Sequence, residues 1–274
     1  MLSIVISWCN RAELPRALPH LVEAARLVGG DVTVVNYGGD TTVLADLLRS
    51  SRDRLLRLVE VRGEQYFNKA RAQNIGAASS THPVLFFCDC DIVVDPGLIV
   101  ELAHEVNDRA DTFATLAGVT ESEHNSRRAG NVVCFGYELN IRLANGRSLR
   151  IVDNEEDVEQ GTRQAPGLLL VRRCDFARID GYNGQLHGWG WEDQDMISRL
   201  TLGAGLRRVT RGIVTHLSHG DLERTAYYPP VRDRWESRDR MFRQALANYD
   251  NDRFLGTYSA DNRELSVAPC EVLN

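Results

Sequence analysis

Four short apolar runs separated by segments with helical spacing fill the first third of the chain, and they limit its fold more than any other feature. LSIVISW (2–8), DVTVVNY (31–37), LLRLVEV (55–61) and VLFFCDC (84–90) are rich in β-branched and aromatic residues and have strand length. After the first run, Leu14, Leu18, Leu21, Val22 and Ala25 recur at helical spacing, which predicts a helix over 14–28. Further helices are predicted over 42–51 and 68–79. Such alternation implies a parallel sheet with crossover helices, whose ligands gather at the carboxyl ends of the strands. SWCNR, NYGGD, RGEQYFNKA and DCDIV all stand at such ends.

Past Ala114 the pattern changes to TFATLAGVT, then NVVCFGYELNIRLANGRSLRIV with a hairpin turn at Asn145-Gly146, then GLLLVRR and a helix starting near Glu192. We read these as strands and loops added to the same sheet. A helix over 230–249 and a polar tail follow. The expectation is an α/β chain with a mostly parallel central sheet flanked by helices. Residues 1–250 form one domain with halves at 1–95 and 96–225, and 226–274 supply a C-terminal helix and tail.

Charge and composition exclude several function classes. Lys and Arg number 32 against 38 Asp and Glu, a net charge of −6, so nothing draws nucleic acid or anionic lipid to the chain as a whole. No apolar run approaches the roughly 18–20 residues of a membrane span, and the N-terminus lacks the basic region of a secretion signal. Cys9, Cys88, Cys90, Cys134, Cys174 and Cys270 are scattered without the spacing of a zinc site, which is expected of free thiols in a reducing cytoplasm.

Chemistry concentrates in four stretches. In FFCDCD, strand alternation sends Asp89 and Asp91 to one face with Phe87, and Cys88 and Cys90 to the other with Phe86. Two carboxylates at a strand end suit Mg²⁺ or Mn²⁺ together with ligand phosphates. In GWGWEDQD, Trp189, Gly190 and Trp191 combine flat apolar faces with open backbone, a surface on which a sugar ring can stack. Glu192, Asp193 and Asp195 follow at a helix N-terminus, where one of them could take a proton from a hydroxyl. His216 and His219 in VTHLSHGD are either metal ligands or ordinary structural histidines. In QYFNKARAQN, Lys69 and Arg71 supply positive charge, Asn68 and Asn74 amides, and Phe67 a stacking face.

Taken in order, these stretches resemble GT-A glycosyltransferases, specifically family 2-like bacterial enzymes related to β-1,4-galactosyltransferases and chondroitin polymerases. FNKARAQNIG is similar to that group's nucleotide-binding helix, FFCDCDIVV to its Asp-x-Asp motif, GWGWEDQDM to its Gly-Trp-Gly-Gly-Glu-Asp motif and HLSHG to its late metal-binding segment. The resemblance covers about residues 1–220. It implies a GT-A fold, a metal-dependent and inverting transfer of a hexose or N-acetylhexosamine from a UDP-sugar, and a carbohydrate, glycolipid, small-molecule or peptide acceptor. It further implies that Asp91 and His219 bind Mn²⁺ or Mg²⁺, with His216 at the position of a weaker ligand. Asp193 matches the base and Glu192 an acceptor contact beside Trp189, Gly190 and Trp191. Asn10, Arg11, Phe67, Asn68, Lys69, Arg71, Asn74 and Asp89 fall on the donor side.

Two departures stand out. NYGGD replaces the Asp-Asp-Gly-Ser common after the second strand, and Trp191 replaces the second glycine of the acceptor motif, where a bulky indole is expected to narrow the subsite. A nucleotidyltransferase would need a glycine-rich basic loop after the first strand, which SWCNRAELPRA does not supply. A non-catalytic binding module is the other alternative, and Asp91, Glu192 and Asp193 argue against it.

Overall fold

A computed structural model describes residues 1–51, 53–123, 131–269 and 271–272. Cys270, one of the expected free thiols, lies outside the described residues. The predicted alternation is present: β1 (Leu2–Trp8), α1 (Leu14–Leu27), β2 (Asp31–Tyr37), α2 (Thr41–Leu48), β3 (Leu56–Arg62), α3 (Lys69–Ser79) and β4 (Val84–Asp89). Then come β5 (Ile92–Val93), α4 (Pro96–Asp108), β6 (Thr112–Thr115), β7 (Gly118–Glu121), β8 (Cys134–Arg142), β9 (Ser148–Asp157), β10 (Thr162–Arg163) and β11 (Leu169–Arg172). The chain continues with α5 (Arg173–Arg178), α6 (Glu192–Ser198), β12 (Arg207–Thr210), β13 (Ile213–His216), α7 (Asp221–Thr225), α8 (Arg234–Asp250), α9 (Tyr258–Glu264), β14 (Ser266–Val267) and β15 (Glu271–Val272).

Local chemistry sets the helix starts. Asp40 accepts from the amides of Thr42 and Val43 to cap α2, and Asn68 accepts from the Arg71 amide to cap α3. Asp95 and Pro96 start α4 in the same way, and its buried Ile99, Leu102, Ala103 and Val106 recur at helical spacing. The small residues of α3 let it lie close on the sheet: a Cβ added at Gly76 would sit 2.3 Å from Val5 Cγ1.

The main sheet has the order β12-β6-β11-β4-β1-β2-β3-β14, with β15 also on β3. β1 to β4 are mutually parallel where they pair, whereas β11 is antiparallel to both β4 and β6, so the sheet is mixed around a parallel centre. The later strands do not all join it. β5, β13, β7, β10, β9 and β8 make a second sheet, because the β8–β9 hairpin and the short strands beside it pair among themselves. To the expected polar tail the structure adds a helix and two strands: β14 and β15 cover the β3 edge, and Asp261 of α9 accepts from Asn74.

Core packing follows the strand parity. Ile4, Ile6, Phe86 and Cys88 face α1 and α4, while Val5, Leu85 and Phe87 face the layer of α3, α5 and α6. A third cluster under α8 gathers Ile151, Trp191, Met241 and Tyr249. Among the described residues, no helix is long and apolar enough to cross a membrane.

Candidate functional site

β4 ends at Asp89, paired with Ser7 at the carboxyl end of β1, and the chain turns through Cys90 and Asp91 into β5. The two thiols are buried among apolar neighbours, and burial pushes both well above the usual thiol range. Thiolate ligation is thereby disfavoured, as parity implied. Asp91 points the other way. Its Oδ2 lies 3.2 Å from an Arg11 guanidinium nitrogen, 3.2 Å from His219 Nε2 and 3.5 Å from His216 Nε2. Burial alone would raise the Asp91 carboxyl, but hydrogen bonds with His216 and His219, aided by Arg11, hold it far below the usual range. Asp91, His216 and His219 each offer a ligand atom, all within 4.8 Å of one another, a donor set able to hold a divalent cation.

A second cluster stands beside the first. Lys69, in the first turn of α3, places its Nζ 2.6 Å from Asp89 Oδ1 and 3.5 Å from Glu192 Oε1. Burial would push this ammonium down, yet Asp89, Glu192 and Asp193 outweigh it and hold it well above the lysine range. Burial pushes Glu192 up to about 7 against the pull of Lys69, and burial raises Asp193 too. Such a pair has the raised basicity and protonation equilibrium that proton-transfer chemistry near neutral pH uses.

Both clusters open on one cleft. Arg11, Phe67, Lys69, Asp89, Asp91, Trp189, Gly190, Glu192, Asp193, His216 and His219 all line it. Other expected residues are placed elsewhere. Asn10 accepts from the Asp40 amide, Asn68 caps α3 and donates to the Gly184 carbonyl, and Asn74 bridges Tyr182 and Asp261. Arg71 pairs with Glu64 and Asp261. Trp191 does not narrow the cleft: its indole is 5% exposed and packs with a centroid 4.6 Å from the Phe242 ring. These residues shape the walls without forming their surface.

The cleft also contains residues that motif reading missed. Gly167 lies so close that an added Cβ would meet Lys69 Nζ at 3.2 Å and Asp193 Oδ2 at 3.4 Å. Tyr227 and Tyr228 form another wall, where the Tyr227 carbonyl accepts from the Phe67 amide and the Tyr228 ring meets Phe67 edge-on. Pro-Gly dipeptides mark turns in general, but only the fold shows that the one at 166–167 abuts Lys69 and Asp193.

Known proteins share this arrangement of strands and helices. The structure of GalNAc-T7 with UDP, GalNAc and Mn²⁺ superposes with a TM-score of 0.56 at 14% identity, over 80% of this chain and 43% of that one. TarS 1–349 of S. aureus gives 0.52 at 11% identity, over 95% of this chain and 71% of that one. The chain has the GT-A glycosyltransferase fold. Within this GT-A chain, residues 155–220 match the family model described as the N-terminal domain of galactosyltransferase. Validoxylamine A glucosyltransferases of Streptomyces hygroscopicus subsp. jinggangensis (strain 5008) and subsp. limoneus are each 26% identical to it over 225 residues. Those alignments take in 73% of the GT-A chain but 51% and 48% of the relatives, so the chain spans about half the length of the curated relatives it matches.

Proposed function

We propose that this chain transfers a hexose or N-acetylhexosamine from a UDP-sugar to an acceptor hydroxyl, with inversion at the anomeric carbon. One observation carries the reading: a three-donor cation cluster and a carboxylate pair of raised pKa, Glu192 buried and Asp193 half-buried, line the same cleft. The UDP and Mn²⁺ of the GalNAc-T7 structure and the glucosyl transfer named for the Streptomyces relatives support the donor class. In this reading residues 1–95 supply most of the donor side and 96–225 the remaining metal ligands and the acceptor side. The free thiols of Cys9, Cys88 and Cys90 agree with a cytoplasmic setting.

Asp91, His216 and His219 would hold the cation. Two imidazoles beside one carboxylate suit Mn²⁺ better than Mg²⁺, which prefers an all-oxygen shell. When bound, the ion neutralises charge on the diphosphate. Asp193 takes the acceptor proton as the hydroxyl oxygen attacks the anomeric carbon. The bond from that carbon to the diphosphate oxygen breaks, and its electron pair leaves with UDP. Glu192 holds the acceptor, Trp189 offers it a stacking face, and Lys69 offsets the charge gathered by Asp89, Glu192 and Asp193.

Thermal-shift titration with UDP, GDP and TDP sugars, with and without Mn²⁺, tests the donor and the metal together. A ligand at ~100 times its dissociation constant adds about 2.7 kcal/mol, and the UDP-sugar response should require Mn²⁺. A response indifferent to Mn²⁺ would remove the metal assignment. Asp193→Asn should keep donor binding and lose transfer by about 10²–10⁴-fold, and near-normal turnover would remove the base.

A further inference from the structure

A second carboxylate stands behind the cation cluster. In the second sheet β7 runs between β13 and β10, and its register sets Glu121 directly beside His216. Glu121 Oε2 lies 2.7 Å from His216 Nδ1 and accepts from Ser218 Oγ at 2.7 Å, while Oε1 accepts from Arg163 Nε at 2.6 Å. Its side chain is 13% exposed. A carboxylate fixed by three donors can only accept, so the contact requires a proton on His216 Nδ1. With both carboxylates ionised the imidazolium donates to each, Nε2 lying 3.5 Å from Asp91 Oδ2. Once the ring is neutral, as metal ligation requires, the shorter Glu121 contact keeps the proton on Nδ1 and leaves the Nε2 lone pair on the Asp91 side.

We propose that Glu121 is the positioning residue of this cation site, fixing His216 as the Nδ1–H tautomer with Nε2 aimed at the ion. The inference rests on the proposed cation at Asp91, His216 and His219. Arg163 and Ser218 hold Glu121 in turn, so the support reaches back through three strands of the sheet. His219 is held differently: its Nδ1 is 3.2 Å from the adjacent Gly220 carbonyl and 3.9 Å from Glu223, whose side chain is 63% exposed. The resemblance to galactosyltransferases made His216 the weaker ligand. In this chain His216 is the pre-oriented one, and His219 takes its orientation from the loop that follows β13.

The test measures Mn²⁺ affinity of the full chain by electron paramagnetic resonance of the free ion, without nucleotide, for wild type, E121Q, E121A, S218A, H216A and H219A. The tautomer of His216 is read from ¹⁵N imidazole shifts of the metal-free protein at alkaline pH. Wild type should show Nδ1–H, and E121A should lose that preference. E121Q and E121A should bind Mn²⁺ about 10–100-fold more weakly, with S218A between them and wild type. Unchanged His216 shifts, or Mn²⁺ affinity in both Glu121 variants within about threefold of wild type while H216A and H219A lose it, would overturn the role of Glu121 alone. If H216A and H219A bind like wild type, or wild type binds no Mn²⁺, the cation reading itself fails and the inference goes with it.

Discussion

Glu192 should make the stability of the protein fall as pH rises toward neutrality. Its side chain is 7% exposed and, among the described residues, Oε2 is buried without a hydrogen-bond partner, so the native state favours the protonated acid. Its ordinary value of 4.5 is pushed up to about 7, with burial the leading cause and Lys69 opposing it. Below the lower value both folded and unfolded chains carry the proton. Between the two values the unfolded chain has released it and the native chain has not, so stability declines with rising pH. Above about 7 both are ionised and the loss is complete. A displacement of this size corresponds to about 3 kcal/mol.

Glu192→Gln keeps the shape and removes the titration. Urea denaturation of both proteins at several values from about pH 4.5 to about pH 8 isolates the effect, because the histidines and the depressed carboxylates are common to both. Relative to E192Q, wild type should lose about 3 kcal/mol across that range, most of it between about 5 and 7. A difference constant with pH to within about 0.5 kcal/mol would show that Glu192 titrates normally, and the case for a buried acid in the cleft would fall.

Arg199→Met should destabilise by about 3–5 kcal/mol in equilibrium unfolding, because Arg199 and Asp195 are each 1% exposed and paired at 2.7 Å, and Arg199 also donates to the Gly181 carbonyl. Gly167→Ala should leave unfolding within about 1 kcal/mol of wild type but lower transfer at least about tenfold, since the new methyl presses on Lys69 and Asp193. Equal turnover by the alanine variant would show that those side chains have room to move. Trp191→Gly should relieve a left-handed φ of 74° yet lose the buried indole, for a net cost of about 2–4 kcal/mol in urea titration.

Period and parity made much of the fold legible. The first strand is Leu2–Trp8, and alternation accounts for Cys88 and Asp89 on β4, whereas Cys90 and Asp91 follow in a turn and Cys90, though buried, borders the cleft beside both carboxylates. The helix at Pro96–Asp108 is absent from the sequence-based expectations although Asp95-Pro96 and the helical spacing of Ile99, Leu102, Ala103 and Val106 both signal it. The second sheet was not readable, because β5, β10 and β13 are two to four residues long and take their partners from distant parts of the chain. Asn68 and Asn74 show the same limit. An amide in a motif does not reveal whether it meets a ligand or, as here, a helix end and the Tyr182 and Gly184 carbonyls.

Trp191 shows how one departure can be absorbed without touching the cleft. Position 191 has φ 74°, a backbone region that a glycine enters freely and a tryptophan enters at a cost of about 1–3 kcal/mol. The indole offsets that cost by leaving the cleft and packing among Leu186, Phe242 and Ala245, beneath α8. The same backbone turn leads directly into Glu192 and Asp193 in the first turn of α6. Loss of the indole would therefore free the turn that aims both carboxylates, and W191G should lower transfer more than its stability cost explains. In W191F, a large apolar ring would still hold the turn against α8, so activity should recover even though the unfavourable φ remains. If W191F is as inactive as W191G, the indole has a task other than bracing.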